Sequence, residues 1–262
     1  MFLEDVLSHV IQGGDTVFDV GAHVGMVASH MATCAGARAK IYSFEPHPEK
    51  FAALKARAEL LPNLSVFNYA VSDSTAPVAL YYGVISSSDQ ASTICKDLAT
   101  PSRLGEDVRS IEVQATTLDN FCAERKLRPE VVKIDVEGAE SLVFKGADEV
   151  LATTPLLIFE LGTATVIPGY VNSLRQRGYA LYMTEIYQFI SDPPSWDHTL
   201  ASHTQSLKDC ILSFTKEEAL PFVPFSANVM AAIPGKHDNR LARFRKLSLA
   251  DAAKDFADPK KT

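Results

Sequence analysis

An apolar strand that runs straight into a cluster of acids constrains this chain more than any other feature: VVKIDVEGAE at residues 131–140. Side chains alternate across a strand, so Val132 and Ile134 share one face while Lys133 and Asp135 share the other. If the strand lies inside a sheet, Lys133 must be paired or must snorkel, because an isolated buried ammonium costs several kcal/mol. Gly138 permits a sharp exit, and from Ala139 onward Leu142, Val143, Gly146, Val150 and Leu151 recur at helical spacing. Asp135, Glu137 and Glu140 therefore sit at a strand's carboxyl end above a helix N-terminus, where open α/β sheets bind ligands. Two uses stay open for them. Glu137 or Glu140 can complement the helix dipole, worth roughly 0.3–1 kcal/mol, with Asp135 pairing Lys133; or the acids form a site.

The same strand–helix rhythm recurs along the chain. Val6, Leu7, Val10 and Ile11 predict a short helix stopped by Gly13-Gly14, followed by a strand at Thr16–Val20 and a helix from Gly25 to about Ala35. A strand Ile41–Phe44 ends at Glu45, Pro46 and Pro48 punctuate a turn, and Glu49–Leu61 is helical. A third strand spans Ser65–Val71. Residues 77–115 interrupt the alternation as an insertion, with strands Val78–Ile85 and Ile111–Ala115 around a Ser-rich loop. After the acidic strand and its helix come a strand at 155–161, a helix Pro168–Arg177, and strands Tyr179–Met183 and Asn228–Ile233. The pattern predicts an α/β fold, a doubly wound and mostly parallel sheet with an antiparallel edge.

Residues 1–235 read as one domain and 236–262 as a charged tail, with Arg240, Arg243, Arg245 and Lys246 on a solvated helix. Between the last two strands, 188–224 is longer than most connections and holds Trp196, Phe214 and Phe222. It is read as a second insertion, either an acceptor-side cover or a packed excursion with a short strand near Cys210–Phe214.

A chain of 262 residues with 47% hydrophobic residues builds one large core. Its charge of −7 argues against a general nucleic-acid binder and favours a small-molecule substrate. Cys34, Cys95, Cys122 and Cys210 show no metal-ligand spacing and the thiols fit a reducing compartment; metal-free chemistry is expected ahead of the alternative in which several acids hold a divalent metal. With no leader-like N-terminus and no apolar run near 20 residues, a soluble cytoplasmic protein is expected.

VFDVGAHVG at 17–25 has the form of a cofactor loop, an apolar strand feeding Asp19-x-Gly21-x-x-x-Gly25 and then a helix. Gly21 lets backbone amides approach a ligand, Gly25 lets the helix pack close, and Asp19 offers an acceptor to a cationic group. A dinucleotide loop prefers glycine where Asp19 and His23 stand, because a pyrophosphate wants amide donors and no carboxylate. His23 either contacts a ligand or caps the helix. Glu45, at the end of the next strand, has two oxygens for the two ribose hydroxyls of a nucleoside cofactor.

Together with FEPHPEKFAAL at 44–54, NYAVSD at 68–73, TLDNF at 117–121, VKIDVEGAE at 132–140, PLLIFEL at 155–161 and NVMAAIP at 228–234, this loop resembles the FkbM family of S-adenosylmethionine-dependent methyltransferases. The resemblance implies a class I methyltransferase (Rossmann-like) fold of seven strands and transfer of a methyl group to a hydroxyl oxygen of a sugar or other small molecule. It also extends the expected cofactor contacts to Pro46, Ala70 and Ser72. Family members commonly carry Asn where His23 stands and an extension before the first helix, so a lid or dimer contact is expected to be missing or replaced.

Because a sulfonium methyl is already activated, catalysis needs an acceptor oxygen held in line and a base for its proton. Asp135 is the first candidate, Glu137 the second, and Lys133 tunes Asp135; Glu160 either lines the acceptor pocket or pairs structurally. The rival readings are a NAD-dependent oxidoreductase and a non-catalytic S-adenosylmethionine-binding module.

Overall fold

The computed structural model describes residues 3–36, 38–83, 92–161, 169–183, 210–214 and 227–247, in two compact units, Ile11–Pro155 and Met1–Val10 with Leu156–Thr262. In the first unit, β1 (Thr16–Val20), β2 (Lys40–Phe44), β3 (Leu64–Phe67) and β9 (Val131–Ile134) are parallel in the order β9-β1-β2-β3. Helices α2 (Met26–Cys34) and α3 (Pro48–Ala58) follow β1 and β2 as the alternation predicts. One face of these strands presents Phe18, Phe44 and Phe67, and Phe121 of α5 (Leu118–Arg125) meets all three edge-on with ring centroids 5.8, 4.7 and 4.8 Å away. Arg125 lies 4.0 Å over the Phe121 ring, shielding that aromatic core with its planar cation.

Three expected elements are divided: the strand expected at Ile111–Ala115 is split between β7 (Val108–Val113) and β8 (Ala115–Thr116), and the other two are cut by a single polar side chain each. The strand expected at Ser65–Val71 stops at Phe67 because the Asn68 side chain donates to the carbonyls of Glu45 and Pro46 at 2.8 and 3.0 Å. Residues Ala70–Val71 then form β4, which pairs in parallel with β8 (Ala115–Thr116). The helix after the acidic strand is broken into α6 (Glu140–Lys145) and α7 (Asp148–Ala152). Asp119 causes the break: its carboxylate accepts the N–H groups of Glu149 and Val150, while its own N–H donates to Gly146 O. A Cβ on Gly146 would lie 2.2 Å from Ser72 O, so the close packing there depends on glycine.

The insertion folds as a three-stranded antiparallel sheet in the order β6 (Ser92–Thr93), β5 (Val78–Gly83), β7 (Val108–Val113). Leu80 and Val113 pack with Ala70 and Ala115 in a small core that ties it to β4 and β8. Between β6 and β7 run a 3-10 turn, Lys96–Leu98, and the short helix α4 (Pro101–Leu104).

In the second unit, β13 (Ala227–Ala232) lies antiparallel between β10 (Leu156–Leu161) and β11 (Ala180–Met183), the antiparallel element expected of the late strands. Within this unit β12 (Cys210–Phe214) pairs antiparallel with β11, and β14 (Arg245–Leu247) pairs in parallel with β12. The charged tail is thus not a solvated helix where it is described: after a four-residue helix, Asp238–Leu241, Arg245 and Lys246 lie in β14. Lys246 lies 5.4 Å from the Tyr182 ring centroid. The segment 188–224 lies outside the described residues apart from β12.

His237 closes the turn after β13. Its Nδ1 accepts the Ile233 N–H at 2.9 Å while its own N–H donates to Ile233 O at 3.0 Å. Burial, with Lys236 and Arg240 nearby, pushes the imidazole down to about 4 from 6.5. Between those values the unfolded chain holds the extra proton, so this contribution to stability is full above pH 6.5 and is lost as pH falls toward 4. The loss runs at up to about 1.4 kcal/mol per pH unit. Urea denaturation between pH 7 and 4.5 is expected to show a shallower acid loss for His237→Gln than for the parent, and equal slopes would assign the acid sensitivity elsewhere.

Candidate functional site

A cavity of about 340 Å³ opens at the carboxyl ends of β1, β2 and β9, within Ile11–Pro155. Its floor is the turn after β1. Gly21 has φ +81°, and a Cβ there would lie 1.8 Å from the Asp135 carbonyl oxygen, so any L side chain is excluded sterically and conformationally. The next strained position is His23, at φ +53°. Histidine, like asparagine, is enriched in that left-handed region, so the residue suits the turn.

Glu45 fixes this turn. Its Oε2 accepts the His23 N–H and its Oε1 the His47 N–H, each at 2.8 Å, so one carboxylate ties the loop after β1 to the start of α3. Burial pushes its carboxyl above the usual range, against the pull of the His47 hydrogen bond and Lys50. Each oxygen retains a second lone pair for a ligand hydroxyl.

Beneath the floor, register lines up Ser43, Asp19 and Lys133 across β2, β1 and β9. The Lys133 ammonium, 4% exposed, lies 3.2 Å from Asp19 Oδ1 and 3.4 Å from Asp135 Oδ2, and donates to Gly21 O at 3.1 Å. Its three protons thus have three acceptors. Burial disfavours the cation, but the two carboxylates outweigh it and hold the ammonium above its ordinary range. The same-face pairing of Lys133 and Asp135 is as alternation required. Asp19, wholly buried, faces this lysine and is not among the cavity-lining residues.

Of the residues singled out from sequence, Gly21, His23, Glu45, Pro46, Ala70, Asp135 and Glu137 line the cavity together. Lys133 lies behind Asp135. Gly25 is the N-cap of α2 against Leu54, and Ser72 is packed under Gly146, so neither reaches the cavity wall. Glu160 belongs to the other unit, opposite Asn228 in the β10–β13 register. Glu140 opens α6, where its charge complements the helix dipole, and it is not among the cavity-lining residues. Its Oε1 accepts from the N–H groups of Val136 and Gly138 at 3.3 and 3.2 Å, holding the acidic turn closed from below.

Sequence reasoning missed Lys50, Tyr69, Val71, Leu80, Ser92, Ile94 and Val136 in the lining. Lys50 is the one with a local signal, lying in the first turn of α3 shortly after Glu45 and donating to Ser92 Oγ at 3.3 Å. The lining carries three acids, Glu45, Asp135 and Glu137, against the single lysine Lys50, beside an apolar wall of Pro46, Val71, Leu80, Ile94 and Val136. Such a site suits a ligand with a flat apolar group, hydroxyls and positive charge. Among the described residues no cluster of His, Cys, Asp and Glu has metal-ligating geometry, and no helix is long and apolar enough to cross a membrane.

A model of the methyltransferase FkbM domain matches residues 19–181. The chain is 27% identical over 150 residues to hexuronic acid methyltransferase AglP of Haloferax volcanii; the match covers 56% of each, so it spans little more than half of that relative's length. Among solved structures it is similar to an rRNA methylase from Streptococcus thermophilus, at 12% identity over 88% of this chain and 93% of that one, with a TM-score of 0.44. An S-adenosylmethionine-dependent O-methyltransferase from Thermotoga maritima is similar at 8% identity over 89% and 66%, with a TM-score of 0.43.

Proposed function

This chain belongs to the FkbM methyltransferase family, and from that premise we propose that it moves a methyl group from S-adenosylmethionine to a hydroxyl oxygen of a carbohydrate acceptor. The observation that carries the reading is the cavity's charge: three acids against one lysine, over a glycine turn too close-packed for any side chain. A cofactor bearing a sulfonium, an ammonium, ribose hydroxyls and a flat base matches that wall. Glu45 would accept from the ribose, Pro46, Val71, Leu80, Ile94 and Val136 would enclose the base, and the turn Gly21–His23 would cradle the remainder. The carbohydrate acceptor rests on the relative's name, since hexuronic acids are sugars.

When bound, S-adenosylmethionine supplies a methyl group already activated on a sulfonium. The protein then has to align the acceptor oxygen with that methyl at about 3 Å and receive the hydroxyl proton. Asp135 is the residue for the second task. Its side chain is 36% exposed into the cavity, and Lys133 steadies Oδ2 from behind. Lys133, at 4% exposure, acts on Asp135 and the Gly21 turn and does not touch the acceptor.

Calorimetric titration with S-adenosylmethionine tests the ribose assignment. Glu45→Ala is expected to weaken binding by about 1.5–3 kcal/mol, the range for hydrogen bonds to a charged group. Parent-like affinity in a folded Glu45→Ala variant rejects it. Parallel titration with NAD separates the oxidoreductase reading, for which the carboxylate at Asp19 and the side chain at His23 are unfavourable.

A further inference from the structure

The turn Glu137–Gly138 at the cavity has consecutive φ values of +53° and +97°. A glutamate pays for left-handed backbone, so something must hold it there, and strain of this kind collects at functional sites. What holds it is the segment between β6 and β7. Arg103 Nη2 donates to the Glu137 backbone oxygen at 3.4 Å and lies 3.3 Å from its Oε2. Cys95 Sγ reaches Gly138 O at 3.6 Å, and Leu98 packs so tightly on Gly138 that a Cβ there would lie 2.2 Å from Leu98 Cδ1. The same insertion supplies Leu80, Ser92 and Ile94 to the cavity, with Ser92 bonded to Lys50 on the α3 side.

We infer that Arg103 is a positioning residue: by gripping both the backbone and the carboxylate of Glu137, it makes the insertion part of the binding site for a cationic sulfonium nucleoside. This rests on the methyl-donor reading above. The groups facing Glu137 are Asp135 at the end of β9, Lys50 on α3 and Arg103 on α4, with Glu140 beneath the turn. Burial, then Asp135, push the Glu137 carboxyl up; Arg103 and Lys50 pull it down. Removing Arg103 therefore raises it further, and Glu137 takes a proton at a higher pH. A protonated Glu137 attracts a cationic ligand less. The Arg103–Glu137 pair is more than a third exposed on both sides, so it adds little to folding stability and the variant stays folded.

The test is titration of the full chain with S-adenosylmethionine from pH 5 to 8, using the parent, Arg103→Gln, Arg103→Lys, Glu137→Gln and the Arg103→Gln/Glu137→Gln double variant. Affinity should fall toward acid, and the midpoint of the fall should rise by roughly half to one pH unit in Arg103→Gln. Arg103→Lys should restore most of it, and in the Glu137→Gln background Arg103→Gln should leave the pH profile unmoved, because only the backbone contact is then lost. An unmoved midpoint in Arg103→Gln, or an equal midpoint shift in both backgrounds, overturns the inference while leaving the methyl-donor reading intact. A parent that fails to bind S-adenosylmethionine at any pH overturns both.

Discussion

Lys133→Met is expected to destabilise the protein by about 3–5 kcal/mol, the cost of removing one partner from a buried ion pair. The ammonium is the counter-charge of Asp19, which is wholly buried, and it bonds the Gly21 carbonyl that shapes the cavity floor. Methionine fills the volume but leaves Asp19 without a counter-charge, so Asp19 must either stay charged and unpaired or bind a proton. The compensating change separates charge from packing. Lys133→Met with Asp19→Leu should recover much of the loss, since an apolar pair of similar volume often matches a buried ion pair in stability. Urea denaturation with a constant m-value measures both. A loss below about 1 kcal/mol for the single variant would mean that the buried charges are solvated by something other than each other.

Asp135→Asn is expected to lower methyl transfer by about 10²–10⁴-fold, the usual contribution of a positioned general base. The amide keeps an oxygen toward Lys133 and nearly the same volume, so the cavity floor stays in place while the proton acceptor is lost. S-adenosylmethionine affinity should change less than about threefold, under 0.7 kcal/mol. Single-turnover transfer and calorimetric binding on the same preparation separate the two effects. A comparable loss of cofactor affinity would move Asp135 from the acceptor's proton to the cofactor's charge.

The alternation of apolar strands and amphipathic helices was readable because each strand is short, uninterrupted and closed by a turn residue. The pairing of Lys133 with Asp135 was readable for the simpler reason that a strand has a period of two. At β3 and at the helix after β9, where the reading diverged, a single polar side chain acting at long sequence separation was responsible. Asn68 ends β3 by bonding to Glu45 and Pro46, and Asp119 divides α6 from α7. Neither leaves a periodic trace. Glu140 looked like part of an acidic site because it stands beside Asp135 and Glu137 in sequence, yet it points under the turn and satisfies two backbone amides there. Asp19 reads as an acceptor for a cationic group, and β9 places the Lys133 ammonium directly opposite it, a pairing across strands that the loop motif alone does not show. The insertion's share of the cavity, through Leu80, Ser92 and Ile94, depends on how a separate antiparallel sheet packs on β4 and β8. Sequence spacing carries no information about that.

The central claim is transfer to a hydroxyl oxygen, and the position of the new methyl group tests it most directly. The measurement incubates the protein with methyl-labelled S-adenosylmethionine and a hexuronic-acid-containing oligosaccharide, with a neutral oligosaccharide alongside, then locates the label by NMR before and after mild alkali. The account predicts an alkali-stable methyl ether on a ring hydroxyl, lost with Asp135→Asn. A label carried on the uronate carboxyl as an alkali-labile methyl ester, and undiminished in Asp135→Asn, would contradict it, because a carboxylate nucleophile has no proton for Asp135 to take.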